Sequence, residues 1–121
     1  MRVPYILLVE SNPILAKILL SILRDKLCFQ ALSATTIKDA LTVIKTHLPR
    51  FLLLDEVLLD GEGIAFYDYL HQHVVIMPLP TIMLSRHITQ CQQWVGQRHI
   101  TCVPLTTNSD DLAQVLANLL N

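Results

Sequence analysis

The sequence predicts an α/β sandwich in which a five-stranded parallel sheet is covered by helices on both faces. Five apolar bursts of strand length alternate with five segments of helical period along the 121 residues. The bursts are continuous rather than alternating, the pattern of strands buried on both faces. Strand–helix–strand order then favours parallel pairing through helical crossovers. With 52% hydrophobic and 16% charged residues there is enough apolar material for one core, which excludes disorder and predicts a single domain over residues 1–121.

Tyr5–Val9 reads as the first strand. Asn12 and Pro13 open a helix, the first as cap and the second at a first-turn position where no N–H is missed, and Leu15, Ile18, Leu19, Ile22 and Leu23 form its apolar stripe. Phe29–Ser33 is the second strand. Thr36 caps a helix that buries Ile37, Ala40, Leu41 and Ile44, and Pro49 ends it before the third strand, Phe51–Leu54. A loop with Gly61 and Gly63 leads to a helix over 64–72, and Pro78 and Pro80 precede the fourth strand, Thr81–Leu84. Thr89–Val95 is a short helix stopped by Gly96, and Ile100–Val103 is the fifth strand, ended by Pro104. Ser109 caps the last helix, with Asp110 and Asp111 in its first turn and Leu112, Val115, Leu116 and Leu119 as its buried stripe.

Several function classes drop out on composition. Nine basic and ten acidic residues, with no run of either sign, leave no electrostatic footprint for nucleic acid. No apolar run approaches the roughly 18 residues of a membrane span. Tyr5–Val9 is too short for an export signal and is interrupted by Glu10, so a cytoplasmic location is expected. There Cys28, Cys91 and Cys102, an odd count without CxxC spacing, are expected to be reduced, buried thiols. His71 and His73 form an HxH pair with no further ligand at a recognisable spacing, which predicts solvated surface rather than a metal site.

In an open α/β sheet the chemistry sits beyond the carboxyl ends of the strands. Glu10 and Ser11 follow the first strand, Asp55 ends the third, Ser85 follows the fourth, and Val103-Pro104 closes the fifth. Two carboxylates and a hydroxyl converging there can hold a divalent cation through oxygen and take a phosphoryl group on a carboxylate.

Leu7-Leu8-Val9-Glu10-Ser11-Asn12-Pro13, Pro49-Arg50-Phe51-Leu52-Leu53-Leu54-Asp55, the later Gly63, Pro80-Thr81-Ile82-Met83-Leu84-Ser85 and Val103-Pro104-Leu105 occur in the order and spacing of bacterial response-regulator receiver domains. The chain resembles that family over essentially its whole length. The resemblance implies a flavodoxin-like fold with strand order 2-1-3-4-5, and a role in two-component phosphorelay signalling rather than an enzyme's. It implies Asp55 as phosphoacceptor, Ser85 as switch hydroxyl, and Mg²⁺ held by Glu10, Asp55 and the backbone carbonyl of Val57. It also implies a histidine kinase or another signalling protein as partner, and an output face that here contains Cys91, Trp94, Val95, Ile100 and Leu105.

Four positions depart from the family pattern. Ser11 stands where the family has a second acid that binds metal directly, Val103 where it has a phosphoryl-pairing lysine, Ile100 where it has an aromatic switch residue, and Leu59 where proline is common. Such a site is expected to bind Mg²⁺ weakly and to be phosphorylated weakly, or to act as a phosphate-independent interaction module. The few charges over Thr89–Val103 suit a protein partner or a homodimer contact. The rival class, a phosphohydrolase of the haloacid-dehalogenase type, also places Asp at a strand end but wants a second Asp two residues on, where Val57 stands. A nucleotide site would want glycine after the first strand, and Glu10-Ser11-Asn12-Pro13 has none.

Overall fold

A computed structural model describes residues 3–96, 98–105 and 108–121. Its strands are β1 (Ile6–Val9), β2 (Ala31–Ala34), β3 (Phe51–Asp55), β4 (Thr81–Ser85) and β5 (Ile100–Pro104). They form one sheet in the order 2-1-3-4-5, with every neighbouring pair parallel. The helices are α1 (Pro13–Ser21), α2 (Ile37–Thr46), α3 (Gly63–His73), α4 (Ile88–Val95) and α5 (Ser109–Leu120).

Alternate strand residues feed opposite layers, as the two-residue period of a strand requires. Leu7, Val9, Leu52, Leu54 and Met83 meet α2, α3 and α4 through Ala40, Ile44, Phe66, Leu70 and Cys91. Ile6, Leu8, Leu53, Ile82, Leu84 and Val103 meet α1 and α5 through Ala16, Leu19, Leu112, Leu116 and Leu120. Leu7, Leu8, Leu52, Leu54 and Leu84 have no exposed surface. Both faces of the central strands are therefore dry.

Helix starts follow their capping chemistry. Asn12 Oδ1 accepts from Ile14 N–H at 2.9 Å and Leu15 N–H at 3.1 Å, and Thr36 Oγ1 accepts from Asp39 N–H at 3.1 Å. The last helix is capped one residue earlier than the sequence suggested: Asn108, not Ser109, accepts from Asp111 N–H at 2.9 Å. At α1 the chain continues into a wider π turn over Ile22–Lys26, closed by Leu27 N–H on Ile22 O at 3.0 Å. Phe29 N–H bonds Leu23 O at 2.8 Å, so Phe29 belongs to this exit, and β2 starts at Ala31 rather than Phe29.

Two apolar stripes differ by one residue each from what was expected. Ile18 is exposed, its place taken by Ala16, and Leu119 gives way to Leu120, which completes the i+4 series with Leu112 and Leu116. Tyr67 and His71 are stacked with centroids 4.0 Å apart. His71 is no solvated surface group: Nδ1 lies 2.8 Å from Tyr67 O, and Nε2 accepts from Leu79 N–H at 3.0 Å. With Nε2 an acceptor, Nδ1 carries the proton. This ring ties the end of α3 to the segment entering β4.

The cysteines correct the sequence reading most sharply. Cys91 of α4 and Cys102 of β5 form a disulfide with Cα atoms 6.2 Å apart, and Cys28 is free but exposed rather than buried. The bond closes a loop with a sequence separation of 11. No helix among the described residues is long and apolar enough to cross a membrane.

Two predictions test these features. Reducing the disulfide, or changing Cys102→Ser, should lower stability by roughly 2–3 kcal/mol, the value for a loop of this size, read as the denaturation midpoint with and without reductant. A Cβ on Gly63 would lie 2.3 Å from the carbonyl oxygen of Asp55. Gly63→Ala should therefore cost roughly 1–3 kcal/mol by urea denaturation, since backbone rather than a flexible side chain must move.

Candidate functional site

The parallel register sets the site. β1 and β3 run in step, Val9 opposite Leu54; β3 and β4 pair Asp55 with Leu84; β4 and β5 pair Ser85 with Pro104. Glu10, Asp55, Glu56 and Ser85 thus arrive together at the carboxyl edge, and all four are buried, Glu10 and Ser85 completely. No lysine, arginine or histidine is buried among the described residues.

Glu10 leaves β1 with its amide on Ala34 O at 3.0 Å, which aims the chain inward. Neither of its carboxyl oxygens receives a well-formed hydrogen bond, although the Asp55 carboxyl and the Ser11 amide lie beside it. Burial, and next the neighbouring Asp55 carboxyl, push its pKa up from 4.5 to about 9, while the charge of exposed Arg86 pulls it down. Burial beside a second carboxyl thus favours the protonated form of Glu10. Asp55 accepts from Val57 N–H at 3.3 Å.

Ser11 does not face this pair freely. Its hydroxyl donates to Thr35 O at 2.6 Å and accepts from Leu59 N–H at 3.0 Å, so it serves as a clamp between two loops. The second loop is fixed further by Asp60, which accepts from Ile37 N–H at 2.8 Å and Lys38 N–H at 3.1 Å, and these amides hold its carboxyl below the usual carboxylate range. A two-residue antiparallel ladder, Val57–Leu58 with Gly61–Glu62, closes the same loop, and Val57 is exposed on it. Gly63 N–H then bonds Glu56 O at 2.9 Å, which is why no side chain fits there.

Glu56 is a site residue to which the sequence reading assigned no role. Ser85 donates its hydroxyl to Oε2 of Glu56 at 2.8 Å, and Arg86 N–H donates to Oε1 at 3.1 Å. Ser85 Oγ in turn accepts from His87 N–H at 2.9 Å. One signal was available: Glu56 directly follows Asp55 at a strand end, where a buried carboxylate must find donors.

The remaining expected positions are spread out. Val103 is packed in the layer under α1 and α5, and Leu105 packs at its margin. Cys91 and Ile100 are buried in the opposite layer, with Trp94 and Val95 half-buried against it, so these five residues do not form one open face. Among the described residues no three acidic, histidine or cysteine side chains cluster as metal ligands, and Glu56 is engaged by Ser85. Glu10's two orphaned oxygens beside Asp55 nevertheless fit a hard divalent cation, which would satisfy both acids at once.

The Glu10 shift fixes a pH dependence. A carboxyl whose folded pKa lies above its unfolded value adds stability below about pH 4.5, and loses it as pH climbs toward about 9. Without metal, unfolding free energy should fall between those limits by up to about 1.4 kcal/mol per pH unit from this group. Glu10→Gln should flatten that difference in urea titrations across the range. Millimolar Mg²⁺ should restore part of the loss at alkaline pH in the parent only.

Comparison with known proteins follows the same lines. Residues 6–116 match the family model described as response regulator receiver domain. No curated protein matches the chain. Among solved structures, a CheY-like response regulator receiver domain from Methylobacillus flagellatus is 18% identical with a TM-score of 0.79, covering 98% of this chain and 99% of its own. The receiver domain of NtrX from Brucella abortus is 22% identical with a TM-score of 0.77, covering 95% and 97%. The signal receiver domain of a signal transduction histidine kinase from Syntrophus aciditrophicus is 20% identical with a TM-score of 0.77, covering 98% and 90%. With five parallel strands in the order 2-1-3-4-5 and a family match over most of its length, the chain belongs to the response regulator receiver domains of two-component signalling.

Proposed function

We propose that this receiver domain signals with a weakened phosphorylation site, Asp55 being its acceptor and protein contacts its main output. The observation that carries the reading is the pairing of Glu10 and Asp55, buried side by side, with Ser11 committed to Thr35 and Leu59 and with Val103 packed in the core.

A carboxylate oxygen of Asp55 would attack the phosphorus of a phosphohistidine on a histidine kinase, or of a small acyl phosphate. The P–O bond to Asp55 forms as the bond to the leaving group breaks. The leaving group keeps that electron pair, and an imidazole leaving group takes up a proton. Mg²⁺, when bound, supplies charge neutralisation for the transferred group, and Glu10, Asp55 and the Val57 carbonyl are the residues we assign to it. Glu10 must release its proton before it can serve as an anionic ligand. Val57 N–H, already on Asp55, holds the acceptor in place.

The weakness follows from the missing partners. Each lost charged hydrogen-bond partner costs on the order of 1.5–3 kcal/mol, and about 1.4 kcal/mol is a factor of ten in rate. Two such losses slow transfer by orders of magnitude unless other groups compensate. The haloacid-dehalogenase alternative finds no support at the site, since Val57 is exposed and carries no acid.

Intact mass after incubation with acetyl phosphate and Mg²⁺ tests this reading. The parent should gain a phosphoryl mass slowly, Asp55→Asn should gain none, and Ser11→Asp should gain it about tenfold faster. An adduct that persists in Asp55→Asn, or a Ser11→Asp rate equal to the parent's, would sink the assignment.

A further inference from the structure

We infer that the carboxylate of Glu56 is a resident anion in a seat built by the Ser85 hydroxyl and the Arg86 amide, holding the entry to α4 in place without any transferred phosphoryl group. This rests on the reading of Asp55 only where competition with an Asp55-borne group is concerned.

The geometry is that of anion recognition. Two donors, one side-chain hydroxyl and one backbone N–H, engage the two oxygens of a single carboxylate at 2.8 and 3.1 Å. Donor and acceptor are withdrawn from water, Ser85 being fully buried and Glu56 6% exposed. Hydrogen bonds of this kind to a charged acceptor are among the stronger ones in proteins. The contrast with Glu10 is sharp: one buried acid has both oxygens satisfied, and the other has neither.

The seat lies where a group on Asp55 would need it. Asp55 precedes Glu56 in the chain and pairs in register with Leu84, the residue before Ser85. An oxyanion carried by Asp55 would look for the nearest donors at the edge of β4, and those are already engaged. Glu56 itself is fixed at both backbone ends, its N–H on Leu84 O at 3.3 Å and its carbonyl on Gly63 N–H at 2.9 Å. Its carboxylate therefore stays local and acts at a high effective concentration.

Holding the seat has a structural consequence. His87 flanks the start of α4 and supplies no side-chain cap, but its N–H bonds Ser85 Oγ. The chain of bonds runs from His87 N–H through the Ser85 hydroxyl to Glu56, so the first turn of α4 is anchored by an internal anion.

Amide NMR spectra of the full chain test the assignment. In Glu56→Ala the Arg86 and His87 amide resonances should move, and added sodium formate should draw them back toward their parent positions. Beryllofluoride with Mg²⁺, which caps an aspartate with a phosphoryl-shaped group, should half-saturate Glu56→Ala at a concentration at least tenfold lower than the parent. Should Glu56→Ala fold poorly, Glu56→Gln keeps the volume and one acceptor while losing the charge, and should show the same shifts in part. Unmoved Arg86 and His87 amides, or equal beryllofluoride affinity in parent and variant, would overturn the inference. Formate rescue without beryllofluoride binding in either chain would uphold the seat and instead remove Asp55 as acceptor.

Discussion

The carboxyl edge of the sheet carries Glu10, Asp55 and Glu56, all buried, without a buried base among the described residues to neutralise them. An isolated carboxylate charge in a low-dielectric interior costs far more than one such domain can bear, so each acid must be accommodated in its own way. For Glu10, burial beside Asp55 favours the protonated, uncharged form. Glu56 instead recruits Ser85 and the Arg86 amide, two neutral donors. Asp55 has the Val57 amide and the neutral Glu10 beside it. Val103 adds no charge to this edge, since its aliphatic side chain joins the core under α1 and α5.

That arrangement connects the site to the sheet. The three acids stand together only because β1, β3 and β4 end in step, and they end in step because each strand is a continuous apolar run buried on both sides. A one-residue slip would turn every strand side chain to the opposite layer, so the register is held by the whole core rather than by the site. The core can therefore carry an electrostatically awkward edge. Gly63 adds the last constraint, letting the following loop press onto the Asp55 carbonyl.

Much of this was readable in the residue order. The run–helix alternation and the position of Asp55 at a strand end were enough for the architecture, because strand length, caps and prolines are local signals. The features that escaped are those set by neighbours distant in sequence. Ile18 fits the same helical stripe as Leu19, and only the packing of the layer shows that Ala16 faces inward beside Leu19 while Ile18 is exposed. The pairing of Cys91 with Cys102 has no spacing motif, because it depends on α4 lying on β5. Phe29 looked like a strand residue until the π turn over Ile22–Lys26 claimed its amide. Glu56 was visible as a letter and not as a ligand, since its two donors come from another strand end.

The same distant contacts converge on α4. An eight-residue helix has little stability of its own, and this one has neither a side-chain cap nor an acid in its first turn. Gly96 ends it at a φ of +44°, a conformation that other residues rarely adopt. What holds the helix is therefore external: the Glu56–Ser85–His87 chain at its start, and the disulfide from Cys91 to β5 in its middle. The two ties act on different coordinates. The first governs how the chain leaves β4, and the second how closely the helix lies on the sheet edge. Releasing one leaves the other in place. The order of α4 is thus set from the Asp55 edge of the sheet at one end and by a covalent link to β5 in its middle.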